Sequence, residues 1–179
     1  RLLHDYFTPR MTRGEGLTEV ERIPYFAEQI VECLQGLEQI ILVGAPPPVT
    51  FFAYPDKPSW VTPEGCDLIT LAGERDDAVG VLEALADALG AKQAGRIVKR
   101  VIPEMPVHAP LDPHTMGAIM ARLMPDNAIL SDDSLTAGPG LHQSLKYGPC
   151  HDWLVLTGGA IGDAPPMAVG AGLACPDRK

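Results

Sequence analysis

The feature that most constrains the fold is a continuous apolar run, QIILVG, at residues 39–44. Such a run is typical of a strand that lies in a parallel sheet and is covered on both faces. It follows residues 20–37, where apolar side chains recur at helical spacing. A second run, CDLITL at 66–71, predicts another strand, and residues 78–89 predict another helix. This alternation of helices with apolar strands predicts an α/β fold with parallel strands.

The composition changes over residues 90–112, where basic residues give way to VIPEMPVHAPLDP. Four prolines and little periodicity are typical of a linker between domains. We therefore predict a partial domain at 1–90, a linker at 91–111 and the first part of a second domain at 112–179. Near the N-terminus, the basic stretch that contains Arg10 and Arg13 predicts a surface loop or a subunit contact.

The second domain is predicted to begin with a helix over residues 113–124, which Asp112 caps and Pro113 opens. NAILS at 127–131 predicts a buried strand, and SDDSLT follows the carboxyl end of that strand. This is the end at which α/β proteins bind ligands. A helix near 139–146 would then offer free N–H groups to an anion.

Two interpretations of SDDSLT remain open. In the first it is half of a phosphate site, in which the hydroxyls of Ser134 and Thr136 bind the anion. Asp132 and Asp133 would repel a bare phosphate, so this interpretation needs a cation or a different orientation of the turn. In the second interpretation the turn only caps the following helix.

A glycine-rich segment, TGGAIGDAPPMAVGAGLACPDRK, occupies residues 157–179. It predicts a loop that leads into a helix of small residues, including Gly170 and Gly172. Glycine in a helix costs about 1 kcal/mol relative to alanine. We therefore expect either a tightly packed, buried helix or a ligand that approaches the backbone closely.

This segment resembles the diphosphate-binding domain of thiamine-diphosphate-dependent enzymes of the acetolactate synthase and benzoylformate decarboxylase group. The resemblance lies in the order and spacing of the GG-x-hydrophobic-G loop, Pro166 and the ending Pro176-Asp177-Arg178. The chain departs from the family at Ala164-Pro165-Pro166, where relatives usually have Gly-Leu-Pro. The resemblance extends to the first ninety residues, which are similar to the second half of the Rossmann-like central domain of acetolactate-synthase-like proteins.

The resemblance implies five cofactor-binding residues in this chain. Leu135 and Thr136 fall where relatives contact the diphosphate, through a backbone N–H and a hydroxyl respectively, and Ser134 lies beside them. The Gly159 carbonyl falls where relatives accept a hydrogen bond from the pyrimidine amino group. Ile161 falls where a large apolar residue holds the cofactor bent, and the bent cofactor serves as an electron sink.

The same resemblance implies a function for the whole protein. We expect an enzyme, a lyase or transferase, that uses thiamine diphosphate and Mg²⁺ on a 2-oxo acid, by decarboxylation or carboligation. The family also has a pyrimidine-binding domain with an activating glutamate and a G-D-G…N magnesium motif, and these 179 residues contain neither. We therefore expect the chain to be a fragment that is inactive alone, with no catalytic and no metal-binding residue of its own.

The composition narrows the class of partner. A net charge of −9 argues against nucleic acid, which clustered Lys and Arg bind. No apolar run approaches 18 residues, so no membrane span is predicted. Four widely spaced cysteines without a C-x-x-C are typical of reduced thiols in the cytoplasm.

The family's cofactor lies at a dimer interface, which implies a homodimer or homotetramer of the whole protein. The alternative function is a non-catalytic α/β binding or structural module of the same fold.

Overall fold

The computed structural model describes residues 1–92, 95–136 and 138–179. Two residues of the predicted linker, 93 and 94, and Ala137, which follows the predicted turn, therefore lie outside the described residues. The strands are β1 (Leu3–His4), β2 (Arg10–Arg13), β3 (Glu21–Arg22), β4 (Gln39–Val43), β5 (Asp67–Ala72), β6 (Ala128–Asp132) and β7 (His151–Val155). The helices are α1 (Ala27–Leu34), α2 (Ala78–Ala88), α3 (Pro113–Leu123), α4 (Gly138–Ser144) and α5 (Ala164–Ala174), with a 3₁₀ turn at Leu145–Tyr147.

The chain divides into two compact units that are each discontinuous in sequence. The first comprises Arg1, Leu3–Tyr6 and Glu21–Gln93, and the second comprises Leu2, Phe7–Val20 and Ala94–Lys179. Parallel strand pairs occur in both units, which confirms the predicted α/β class. The predicted domain and linker boundaries stay a prediction. No helix within the described ranges is long and apolar enough to cross a membrane.

The first unit contains two parallel strand pairs, β1 with β3 and β4 with β5. Its core forms where Ile30 and Leu34 of α1 pack with Val61. β4 confirms the strand predicted from QIILVG, but the prediction that both its faces are covered is wrong within this chain, because Ile41 is 52% exposed. The apolar run therefore identified the strand correctly and overestimated its burial.

The helix predicted over residues 20–37 is shorter than its apolar pattern suggested. Residues 21–22 form β3, and the Ile23 amide donates to the His4 carbonyl at 2.9 Å, so the backbone is still extended there. Pro24 explains the difference, because a proline disfavours helical geometry in the residue before it. The helix begins only at Ala27.

The second unit is built on a three-stranded sheet in the order β2-β7-β6. β6 and β7 are parallel, and β2 runs antiparallel to β7 along the edge. α3 confirms the predicted capped helix, because Asp112 accepts hydrogen bonds from the amides of His114 and Thr115. α3 and α4 cover one face of the sheet, where the core consists of Ala121, Leu141, Leu145, Trp153, Val155 and Leu156.

The basic N-terminal stretch is part of this sheet, so its interpretation as a surface loop is wrong, while a subunit contact stays a prediction. Residues 10–13 form β2, and Arg13 is buried. Gly14 follows in the left-handed region, with φ of 105°, and a Cβ there would lie 2.3 Å from the Pro149 carbonyl oxygen. Only glycine allows the two backbones to approach so closely. Gly14 is therefore required where β2 ends.

Helix α5 differs from the tightly packed helix that its small residues predicted. It contacts β6, yet none of its residues is buried, and Leu173 is 81% exposed. No described residue approaches the Cβ positions of Gly170 or Gly172 within 4 Å. Within this chain, therefore, no close backbone contact explains these two glycines.

Candidate functional site

The turn after β6 is held by Asp132, the last residue of that strand. Asp132 is only 6% exposed, and its Oδ1 accepts from the Ser134 amide at 2.8 Å and from the Ser134 hydroxyl. Its Oδ2 accepts from the indole Nε1 of Trp153 at 3.0 Å. A buried carboxylate is stable only when donors satisfy it, and here three donors do so. Asp132 therefore fixes the start of the turn to the neighbouring strand.

Beneath this turn lies a buried aromatic layer centred on Trp153, which is 1% exposed. The Arg13 guanidinium lies 5.1 Å from the centre of the indole ring, and the His142 ring meets it edge-on at 5.1 Å. His151 lies beside it, with Nδ1 2.7 Å from the Pro149 carbonyl oxygen. Burial lowers the pKa of His151, and the Arg13 charge adds to the effect. The lowered pKa favours the neutral form of this imidazole.

The glycine-rich loop at 157–162 lies after the end of β7. Gly158 and Gly159 both have left-handed backbones, with φ of 60° and 71°, which other residues rarely adopt. The Gly159 carbonyl accepts from the Ile161 amide at 3.0 Å. The Ile161 side chain is 84% exposed. The loop therefore presents a large apolar side chain outside the core of this unit.

Three hydrogen bonds join the end of β6 and its turn to the glycine loop and to the residues on either side of that loop. The Asp133 Oδ2 accepts from the Gly162 amide at 2.6 Å, and the Asp132 carbonyl accepts from the Leu156 amide at 3.2 Å. The Ser131 hydroxyl donates to the Ala164 carbonyl at 2.8 Å. Two segments that are more than twenty residues apart in sequence therefore form one surface at the end of the sheet.

The two prolines that depart from the family pattern fit the start of α5. Asp163 is the N-cap residue, so Pro165 and Pro166 lie in the first turn of the helix. Amides in a first helical turn have no intrahelical partner, and a proline there loses no hydrogen bond. The departure is therefore compatible with the loop and with a regular helix after it.

The PDR ending forms a separate polar cluster around Asp152, which is buried on β7. Arg178 bonds to the Asp152 carboxylate at 2.9 Å and to the Asn127 and Ala128 carbonyls. Thr12 donates to the same carboxylate at 2.6 Å, and Arg10 lies 3.2 Å away. Burial alone would raise the pKa of Asp152, but these hydrogen bonds outweigh it and the pKa is lowered. Arg178 therefore joins β7 to the start of β6.

The structure gives each predicted cofactor-binding residue a definite position. Leu135 and Thr136 are exposed in the turn, while the Ser134 hydroxyl donates to Asp132. Gly159 and Ile161 lie in the loop that the Asp133 hydrogen bond joins to this turn. All five are in the second unit. Their binding roles stay predictions. Across residues 1–92, 95–136 and 138–179, no three His, Cys, Asp or Glu side chains form a group that could hold a metal ion.

Sequence reasoning treated Asp132 and Asp133 as charges that a phosphate would have to overcome. In the structure both carboxylates accept hydrogen bonds from the protein itself. Trp153 was missed because no strand was predicted at 151–155. The apolar run WLVL at 153–156 was the available signal for β7. Arg178 was noted as part of a motif, but its partner 26 residues earlier, Asp152, has no local sequence signal.

The fold and the site together define an α/β unit with a polar turn and a glycine loop at the carboxyl ends of parallel strands. No family model matches the chain. The chain is 41% identical over 178 residues to the Mycobacterium tuberculosis protein named "Putative acetolactate synthase large subunit IlvX". This match covers 99% of the chain and 34% of the relative, so the chain spans about a third of the length of the curated relative that it matches. The resemblance to acetolactate-synthase-like proteins is thereby confirmed.

Proposed function

We propose that the whole protein is a thiamine-diphosphate- and Mg²⁺-dependent enzyme that acts on a 2-oxo acid, by decarboxylation or carboligation. The observation that carries this proposal is the hydrogen bond between Asp133 and the Gly162 amide. It joins the two segments that the family resemblance assigns to the cofactor. The similarity to IlvX, a protein named as an acetolactate synthase large subunit, supports the same class of reaction.

The groups that the turn and loop present suit this cofactor. Thr136 is exposed, and its hydroxyl can donate to a phosphate oxygen. The carboxylates of Asp132 and Asp133 are engaged by protein donors, which reduces their repulsion of an anion. The Gly159 carbonyl has one hydrogen bond and, like any carbonyl oxygen, a second lone pair for an amino group.

Thiamine diphosphate supplies an electron sink for cleaving or forming the bond next to a 2-oxo group. The residues of this chain would bind and orient it. Leu135 and Thr136 would hold the diphosphate, and Ile161 would support the bent rings. Ile161 is exposed on the loop and outside the core of this unit, so its side chain is available to contact a ligand.

The remaining parts of the proposal concern the whole protein. A diphosphate bound in a protein is neutralised by a divalent cation, and we assign no Mg²⁺ ligand to this chain. We further propose a cytoplasmic homodimer or homotetramer in which the chain described here is inactive by itself. That inactivity is expected because the match covers only 34% of the relative.

The test is calorimetry of the whole protein with thiamine diphosphate and MgCl₂, followed by CO₂ release from a set of 2-oxo acids. We expect binding and turnover, and we expect Thr136→Val to weaken cofactor binding by about tenfold, as loss of a hydrogen bond to a charged group does. Thr50→Val, in an exposed loop of the first unit, is the matched control. Cofactor binding without turnover of any 2-oxo acid would favour the non-catalytic module. No binding would refute the proposal.

A further inference from the structure

The second aspartate of the turn makes a contact that its neighbour does not. Asp132 bonds back to its own turn and to Trp153, whereas Asp133 Oδ2 accepts from the Gly162 amide in the glycine loop at 2.6 Å. The other oxygen, Oδ1, is enclosed and has no hydrogen-bond partner among the described residues. The hydrogen bond of the Asp133 carboxylate is therefore made to the loop and not to its own turn.

The position of that amide determines what the contact controls. Ile161 and Gly159 are the two loop positions assigned to the rings of the cofactor. Gly162 follows Ile161 directly and lies three residues after Gly159. Its φ of 92° belongs to a backbone that glycine adopts without strain and that other residues rarely adopt. A charge-assisted hydrogen bond at this amide selects one conformation from the many that a glycine-rich loop can adopt.

We propose that Asp133 is a positioning residue that fixes the glycine loop against the diphosphate turn, an inference that rests on the proposed function. Asp133 thereby sets the affinity of the site for the rings of thiamine diphosphate, while the turn sets the affinity for the diphosphate. The two adjacent aspartates have separate tasks, because Asp132 orders the turn and Asp133 orders the loop.

The first test measures the loop alone, as amide exchange at Gly162 in this chain by NMR. Asp133→Ala should accelerate that exchange by about tenfold or more, as expected for loss of a hydrogen bond to a charged group. Asp133→Asn keeps an acceptor oxygen and should restore most of the protection. Asp163→Ala removes an equal charge from the residue that follows the loop, whose side chain makes no cap hydrogen bond, and is the matched control. Unchanged exchange at Gly162 in Asp133→Ala would overturn the proposal.

The second test compares two probes on the whole protein with MgCl₂, namely inorganic diphosphate and thiamine diphosphate. Asp133→Ala should weaken thiamine diphosphate by about tenfold and leave inorganic diphosphate within about twofold. A general loss of structure would weaken both probes equally, and that result would overturn the positioning role. If the unmodified protein binds neither probe, the proposed function fails, and the exchange experiment still decides whether Asp133 orders the loop.

Discussion

The buried imidazole of His151 makes the stability of the second unit depend on pH in a specific range. Its Nδ1 lies 2.7 Å from the Pro149 carbonyl oxygen, which can only accept, so Nδ1 carries the proton of the neutral ring. Its Nε2 is buried and has no hydrogen-bond partner among the described residues. A second proton would create a buried cation near Arg13 with an unpaired donor.

The sign and size of the effect follow from linkage. Burial lowers the pKa of His151 from its ordinary value of 6.5, with Arg13 adding to the shift and with Pro149 and Asp152 opposing it. The unfolded chain therefore binds a proton near pH 6.5 that the folded chain does not bind. The stability that the neutral His151 contributes is fully present above pH 6.5, and it is lost as the pH falls towards the folded pKa. Between about pH 7.5 and about pH 5.5 the loss has an upper limit of about 1.4 kcal/mol, which the unfolded pKa sets because pH 5.5 lies about one unit below it.

The assay is urea unfolding followed by the fluorescence of Trp153. Trp60→Phe removes the other tryptophan, so the signal reports on the second unit alone. His151→Asn does not titrate in this range and can still donate to Pro149, so the variant should lose less stability than the unmodified chain between these two pH values. His114→Asn, at an exposed position, should keep the pH dependence of the unmodified chain. Equal pH dependence in His151→Asn and the unmodified chain would refute the reasoning.

Three further substitutions test the packing and the site. Gly117→Ala places a Cβ 2.6 Å from Ser144 and should cost about 1–3 kcal/mol in urea unfolding, whereas Gly170→Ala meets no atom within 4 Å and should not destabilise. Asp152→Ala leaves Arg178 without its carboxylate and should cost about 3 kcal/mol, with Asp152→Asn intermediate in the same assay. Ile161→Ala should change the free energy of unfolding by less than about 0.5 kcal/mol, since the side chain is exposed, yet weaken thiamine diphosphate binding to the whole protein measurably by calorimetry. Unchanged cofactor affinity in that variant would contradict the role assigned to Ile161.

Local sequence signals were sufficient for most of the elements. Each of these signals lies in or next to the element that it predicts. Examples are the cap at Asp112 before α3 and the apolar runs of β4, β5 and β6. β2 carries no such signal, because RMTR is a strand only by virtue of β7 beside it. The early start predicted for α1 neglected Pro24, a local signal that was present and outweighed by helical periodicity.

The candidate site was predictable as two separate segments but not as one surface. The family resemblance named residues in SDDSLT and TGGAIG, and nothing in either segment alone indicates that Asp133 bonds to Gly162. The sequence analysis considered only the charge of the two aspartates and treated both as groups that repel a phosphate. Their actual partners, Trp153 and Gly162, depend on tertiary packing, which determines where a carboxylate points.

The antiparallel pairing of β2 with β7 has a consequence for the order of events during synthesis. Arg10 and Asp152, which meet across this pair, are 142 residues apart in sequence. At about 5–20 residues per second, β2 leaves the ribosome roughly 7–28 s before its partner. Until then residues 10–13 have no partner that would hold them as a strand. A version of the chain that begins at residue 112 would have the opposite defect, since β7 would fold with its outer edge bare and without Arg10 and Arg13.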